Sequence, residues 1–144
     1  MTRVNLVPPK ELMDQHLLAE WRELKMVPAS LRRSLRTQSA GTVLAKIPPE
    51  FTLGRGHVTF FYDKLSYLYC RYQYLVEELL ARGFNLEYAG DFWRFIEDLP
   101  DEFTDKIWIP SSKDIEISRN RIQERIAMKP TWYRYYGKPN SPLK

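Results

Sequence analysis

The sequence predicts an all-α fold: a single compact domain over residues 1–144, with about three main helices and an irregular aromatic C-terminal segment. Three observations predict it. Apolar residues recur at helical spacing in three long stretches. Strand character is confined to one short run, "HVTFFY" (57–62), which has no clear partner. A chain of 144 residues, 44% of them hydrophobic, suits one core.

The elements follow in order. Pro8 and Pro9 suit the approach to a helix start. Beyond them Leu12, His16, Ala19 and Glu23 fall on one stripe, and Leu17, Trp21 and Leu24 on the adjacent one. Pro28 predicts an end or bend, with "ASLRRSLR" (29–36) continuing as a second helical piece. Residues 39–58 are interrupted by Gly41, Pro48, Pro49, Gly54 and Gly56, which predicts a long loop with short elements. In "DKLSYLYCRYQYLVEELLARG" (63–83), Asp63 is the expected cap and Gly83 the stop. Leu65, Leu68, Tyr72, Leu75 and Leu79 mark the buried stripe of that helix, and Cys70 reads as a small buried apolar residue. "GDFWRFIEDLP" (90–100) predicts a short helix ended by Pro100. In the third main helix Ser111 and Asp114 resemble a capping box, Ile115, Ile122 and Ile126 supply the apolar face, and Pro130 terminates it. The tail "KPNSPLK" (138–144) is expected to fray.

Charge is segregated along the chain. The net charge is +4 and the pI about 9.2, an excess in the direction of a nucleic-acid partner. Residues 24–49 carry no acid but hold Lys25, Arg32, Arg33, Arg36 and Lys46. Residues 119–138 carry Arg119, Arg121, Arg125, Lys129, Arg134 and Lys138 against Glu124 alone. Residues 87–105 hold seven acids against Arg94. This pattern suits a basic and an acidic face, or two ordinary solvated helix surfaces. A single cysteine, Cys70, excludes an internal disulfide and suits a reducing, cytoplasmic compartment. No signal peptide or membrane-length apolar run is visible. A basic face on a small domain suits a monomer.

Candidate chemistry begins at "MTRVNLV". Thr2 is small enough to allow removal of Met1, and would then carry a free α-amine. Such an amine titrates near ~8, far below lysine, so a sizeable fraction is nucleophilic at neutral pH. Glu23 is a helix carboxylate beside Arg22; taken alone, such a group is more often solvated than catalytic. His16 reads as half-buried, and His57, after Gly-Arg-Gly, as isolated. Two histidines and one cysteine make no metal pattern, and no phosphate loop or dinucleotide fingerprint occurs. No cofactor or metal is expected. In "PTWYRYYGK" (130–138), Trp132, Tyr133, Tyr135 and Tyr136 interleave with Arg134. Rings among cations suit base stacking with phosphate contacts, although some of the rings must fold into the core.

Four blocks together resemble the bacteriophage-type pyrimidine-dimer DNA glycosylases, the UV endonuclease V enzymes: "MTRVNL", "ELMDQHLLAEWREL", "LGRGHVTFFYDKL" and "RIAMKPTWYRYYGK". The stretch from Asn85 to Pro110 departs from that family in length and aromatic content. The resemblance implies a metal-free bifunctional repair enzyme acting on double-stranded DNA that contains damaged bases. It would excise the 5′ base of a cyclobutane pyrimidine dimer and nick the strand by β-elimination. It implies that Thr2 supplies the nucleophilic amine and Glu23 the carboxylate, with Arg22 beside it. Arg3 and His16 match site positions; Arg121, Arg125 and Arg134 match DNA contacts, joined by Trp132 and Tyr133. Where the family often has an arginine after "REL", this chain has Lys25 and Met26, so Lys25 is the candidate for that phosphate contact. Two other readings use the same residues: an N-terminal-amine lyase for abasic or ring-opened purine lesions, and a non-catalytic basic DNA-binding module.

Overall fold

The computed structural model of the chain describes residues 3–87 and 90–139. Helices dominate. They run α1 (Asp14–Glu23), α2 (Met26–Leu35), α3 (Ala40–Ala45), α4 (His57–Phe60), α5 (Leu65–Ala81) and α6 (Ser112–Met128). Short 3-10 turns cover Pro9–Glu11, Phe61–Asp63, Phe92–Phe95 and Asp101–Phe103. The strands β1 (Arg134–Tyr135) and β2 (Lys138–Pro139) pair antiparallel.

The core forms on α5. Its predicted stripe is buried throughout, and Leu12, Leu17, Leu24, Leu31, Phe61, Phe92 and Phe103 pack around it. Gly83, with φ 90°, sits two residues past the helix and closes it. The box on α6 is present: Ser111 Oγ accepts from the Asp114 amide, and the Asp114 carboxylate accepts from the Ser111 amide.

Several expectations are corrected. "HVTFFY" is helical, forming α4 and the 3-10 turn behind it. Six residues of mixed aromatic and β-branched type do not fix a period, and Gly56 settles the matter. At φ 89° it turns the chain into α4, and a Cβ there would meet Pro48 Cγ at 3.2 Å. Pro28 does not end α1. The break falls earlier, after Glu23, and Pro28 lies buried in the first turn of α2, where its missing N–H costs no helical bond. Asp63 does not cap α5; Lys64 holds that position, and the Asp63 carboxylate instead accepts from Lys64 Nζ at 2.7 Å and Lys106 Nζ at 3.3 Å. Cys70 is exposed, because it lies two residues, or about 200°, around the helix from Leu68. Residues 92–95 form a 3-10 turn capped by Asp91.

The most constrained segment has no regular secondary structure. Arg3–Val7 runs through the interior, with Val4, Asn5, Leu6 and Val7 all buried. Its polar groups therefore need partners inside the protein. His57 Nε2 accepts from the Val4 amide at 2.9 Å, and Ser118 Oγ from the Leu6 amide at 3.0 Å. Arg71 Nη1 donates to the Val7 carbonyl at 2.6 Å. The same guanidinium holds the buried Glu20 carboxylate through two bonds, of 2.8 and 3.0 Å, and Asn5 Nδ2 donates to that carboxylate at 3.0 Å. Burial alone would lower the Arg71 pKa, but the charge and hydrogen bonds of Glu20, together with those of Tyr67, outweigh it and the net direction is upward. Helices α1, α4, α5 and α6 thus each lend a side chain to the N-terminal segment.

The aromatic C-terminal segment is more ordered than expected. Tyr136 (φ 53°) and Gly137 (φ 75°) form the two-residue turn between β1 and β2, and both positive angles match a type I′ hairpin turn. Asp14 accepts from the Tyr136 amide at 3.1 Å and the Gly137 amide at 2.8 Å. Arg82 bonds Asp14 and Glu78, each at 2.9 Å, and its guanidinium lies 4.7 Å from both the Tyr135 and Tyr136 rings. Of the tail, Lys138 and Pro139 are paired, and residues 140–144 lie outside the described residues.

Candidate DNA-binding and catalytic site

Glu23 occupies the last residue of α1, half-buried. A carboxylate at a helix C-terminus is disfavoured by the helix dipole, so its position does not serve the helix. Arg3 enters from the N-terminal segment and lies within electrostatic reach of Glu23, and Arg121 and Arg125 of α6 lie within reach of Arg3. Burial lowers the Arg3 pKa, Arg121 and Arg125 lower it further, and Glu23 opposes them. Arg3 is thus the point on which two further arginines and one carboxylate converge, a local positive excess that suits a polyanion.

His16 sits two turns before Glu23 on α1 and stacks on Tyr133 with ring centroids 4.7 Å apart. Burial, then the Arg125 charge, lowers its pKa, which favours the neutral imidazole. Tyr133 is buried at 7%, whereas Trp132 (54%) and Arg134 are exposed. The expected division of the aromatic segment is thus realised: one ring packs inward, while a ring and a cation face out. The preceding residue, Gln15, fixes this arrangement by donating to the Trp132 carbonyl at 2.9 Å and accepting from the Arg134 amide at 3.0 Å.

Arg22 and Lys25 face elsewhere. They line a cavity of about 310 Å³ with Trp21, Tyr72, Phe84, Asn85, Arg94 and Phe95. Successive residues on a helix point about 100° apart, so Arg22 flanks Glu23 instead of facing it. Three buried polar atoms, His16 Nδ1, Trp21 Nε1 and Arg121 Nε, have no hydrogen-bond partner among the described residues. Unsatisfied polar atoms are rare in folded interiors.

Thr2 lies outside the described residues. The segment that follows it is clamped by Asn5, Glu20, Arg71, Ser118 and His57, none of which the sequence reading assigned to the site. Their partners lie up to 112 positions away, and no local period reports such pairs. No group of three or more potential metal ligands occurs among the described residues. None of the described helices is long and apolar enough to cross a membrane.

A helical protein with a net charge of +4, arginines from two elements converging on Arg3, and an exposed ring and cation at Trp132 and Arg134 has the charge pattern of a nucleic-acid-binding protein. A family model described as pyrimidine dimer DNA glycosylase matches residues 1–89, more than half of the 144, and the chain belongs to that family. It is a DNA repair glycosylase whose family acts on damaged DNA. The matched stretch contains Arg3, His16, Arg22, Glu23 and Lys25, together with the whole of α5. Arg94, Phe95, Arg121, Arg125 and the aromatic hairpin lie beyond it.

Proposed function

We propose that this chain excises the 5′ base of cyclobutane pyrimidine dimers through an imine on its own N-terminal amine, and then nicks the strand by β-elimination. The observation that carries the reading is the convergence of Glu23, Arg121 and Arg125 on Arg3, in an N-terminal segment clamped from within the protein.

The chemistry follows from the groups. After Met1 removal the neutral Thr2 amine attacks C1′, and the C1′–N bond to the base breaks with its electron pair leaving on the base. Positive charge builds on the sugar as that bond lengthens, and the Glu23 carboxylate stabilises it. Ring opening gives a protonated imine, which acidifies the C2′ hydrogen. Glu23 takes that proton; the C3′–O bond breaks, and the 3′ phosphate leaves. Water then releases the enzyme. Arg3, Arg22, Lys25, Arg121 and Arg125 neutralise the flanking phosphates that would otherwise repel Glu23. Trp132 would stack on a base and Arg134 hold a phosphate, a reading their exposure supports. A stacked duplex keeps C1′ out of reach, so the DNA must kink and a nucleotide must leave the stack, at a cost of a few kcal/mol. A poorly stacked dimer lowers that cost. The cavity beside Arg22, about 310 Å³, supports the reading that an extruded base is received there.

Borohydride reduction in the presence of dimer-containing or abasic duplex tests the reading. A covalent protein–DNA adduct is expected with the native amine, and none after selective acetylation of that amine. Strand cleavage without an adduct would overturn the imine route, and an uncleaved dimer duplex would overturn the substrate.

A further inference from the structure

We infer that His57 is a positioning residue for the N-terminal nucleophile, acting as a fixed hydrogen-bond acceptor that holds the backbone at Val4. The inference rests on the proposed role of the Thr2 amine and adds a residue to it.

The ring is held at both nitrogens. Nδ1 lies 2.8 Å from the Thr52 carbonyl, which only accepts, so Nδ1 carries the proton. Nε2 lies 2.9 Å from the Val4 amide nitrogen, which only donates, so Nε2 is the bare acceptor. One neutral tautomer satisfies both contacts, and the protonated ring satisfies only the first. The ring is 1% exposed, and Phe51 and Phe61 meet it edge-on at 5.6 and 5.4 Å. Burial and the nearby Arg3 charge favour the neutral form; the Thr52 carbonyl opposes them, and the net pKa is lowered. Gly56 at φ 89° places His57 at the head of α4, so "GRGH" is a device for presenting an imidazole.

Of the backbone hydrogen bonds that hold Val4, Leu6 and Val7, this one lies nearest in sequence to Thr2, two residues away. A clamp there limits how far an attached amine can wander. Misplacing a reacting group by about 1 Å can cost roughly 10²-fold in rate. Most of the proposed phosphate contacts, Arg22, Lys25, Arg121, Arg125 and Arg134, lie on elements that His57 does not bond, so loss of the His57 contact should slow the covalent step far more than it weakens binding.

Two variants separate the contacts. His57→Asn keeps a donor near Thr52 but is too short to reach Val4, whereas His57→Gln retains an acceptor at the Nε2 distance. With an abasic duplex, His57→Asn is expected to slow single-turnover borohydride trapping tenfold or more with Kd within about twofold, and His57→Gln to recover most of the rate. Trapping by His57→Asn at the native rate, loss of trapping and affinity in equal proportion, or a Gln variant as slow as Asn would each overturn the inference. Ring ¹⁵N shifts of the unmodified protein give a readout independent of variant folding and of activity. A protonated Nδ1 and bare Nε2, with slow exchange of the Val4 amide, are expected; the reverse tautomer or an unprotected amide would overturn the clamp. Those signals without any trapping by the unmodified protein would refute the amine nucleophile and leave the clamp standing.

Discussion

In the proposed mechanism the Glu23 carboxylate has two tasks that its amide analogue cannot perform: stabilising a sugar cation and taking a proton. Glu23→Gln keeps the volume and removes both. Strand cleavage is expected to fall by about 10²–10⁴-fold while Kd for lesion DNA holds or tightens, since a negative charge facing phosphates is lost. Single-turnover cleavage and gel-shift titration on one duplex check this, and normal turnover would remove Glu23 from the mechanism. Part of this residue-scale geometry was readable from the chain: Glu23, Arg3, His16, Arg121 and Arg125 were candidates, and the structure puts Glu23, Arg121 and Arg125 within electrostatic reach of Arg3, and Arg125 within reach of His16. The contact of His57 with Val4 was not readable. Its partner lies 53 positions away, and an isolated histidine after a glycine pair carries no sign of what it will bond.

At the scale of elements, the N-terminal segment depends on the buried Arg71–Glu20 pair. Their side chains are 5% and 0% exposed, and the pair satisfies Asn5 and the Val7 carbonyl as well. Removing one partner strands a charge in the interior. Arg71→Met is therefore expected to lower unfolding stability by about 3–5 kcal/mol in urea titration. Adding Glu20→Gln should restore part of that loss, because the orphaned charge disappears. The helices themselves were legible wherever their period was long. The α5 stripe and the Ser111–Asp114 box needed no tertiary information. "HVTFFY" was too short for a period to decide, and the hairpin was hidden because Asp14 and Gln15 on α1 and Arg82 just past α5, which order it, are distant in sequence.

At the scale of the whole molecule, two titrations summarise the electrostatics. Burial lowers the pKa of both His16 and His57 in the folded state. The unfolded chain, with histidines near ~6.5, therefore binds more protons than the folded one below that value. Stability from this source is fully present above about pH 6.5 and is lost as pH falls below it. The melting temperature is expected to drop between pH 7 and pH 5, with a shallower drop in His57→Gln; equal slopes would contradict this. The second titration is with salt. Each arginine that neutralises a phosphate contributes about 0.9 to the slope of log K against log salt. Arg125→Gln should weaken binding to all duplexes and reduce that slope by about one.

The account turns on which nitrogen bonds to the sugar. The most direct measurement is peptide mass mapping of the borohydride-reduced protein–DNA adduct. The account predicts a protein that begins at Thr2 and carries the reduced sugar on its α-nitrogen. An adduct on a lysine side chain, or a mature chain that retains Met1 and still cleaves, would contradict it.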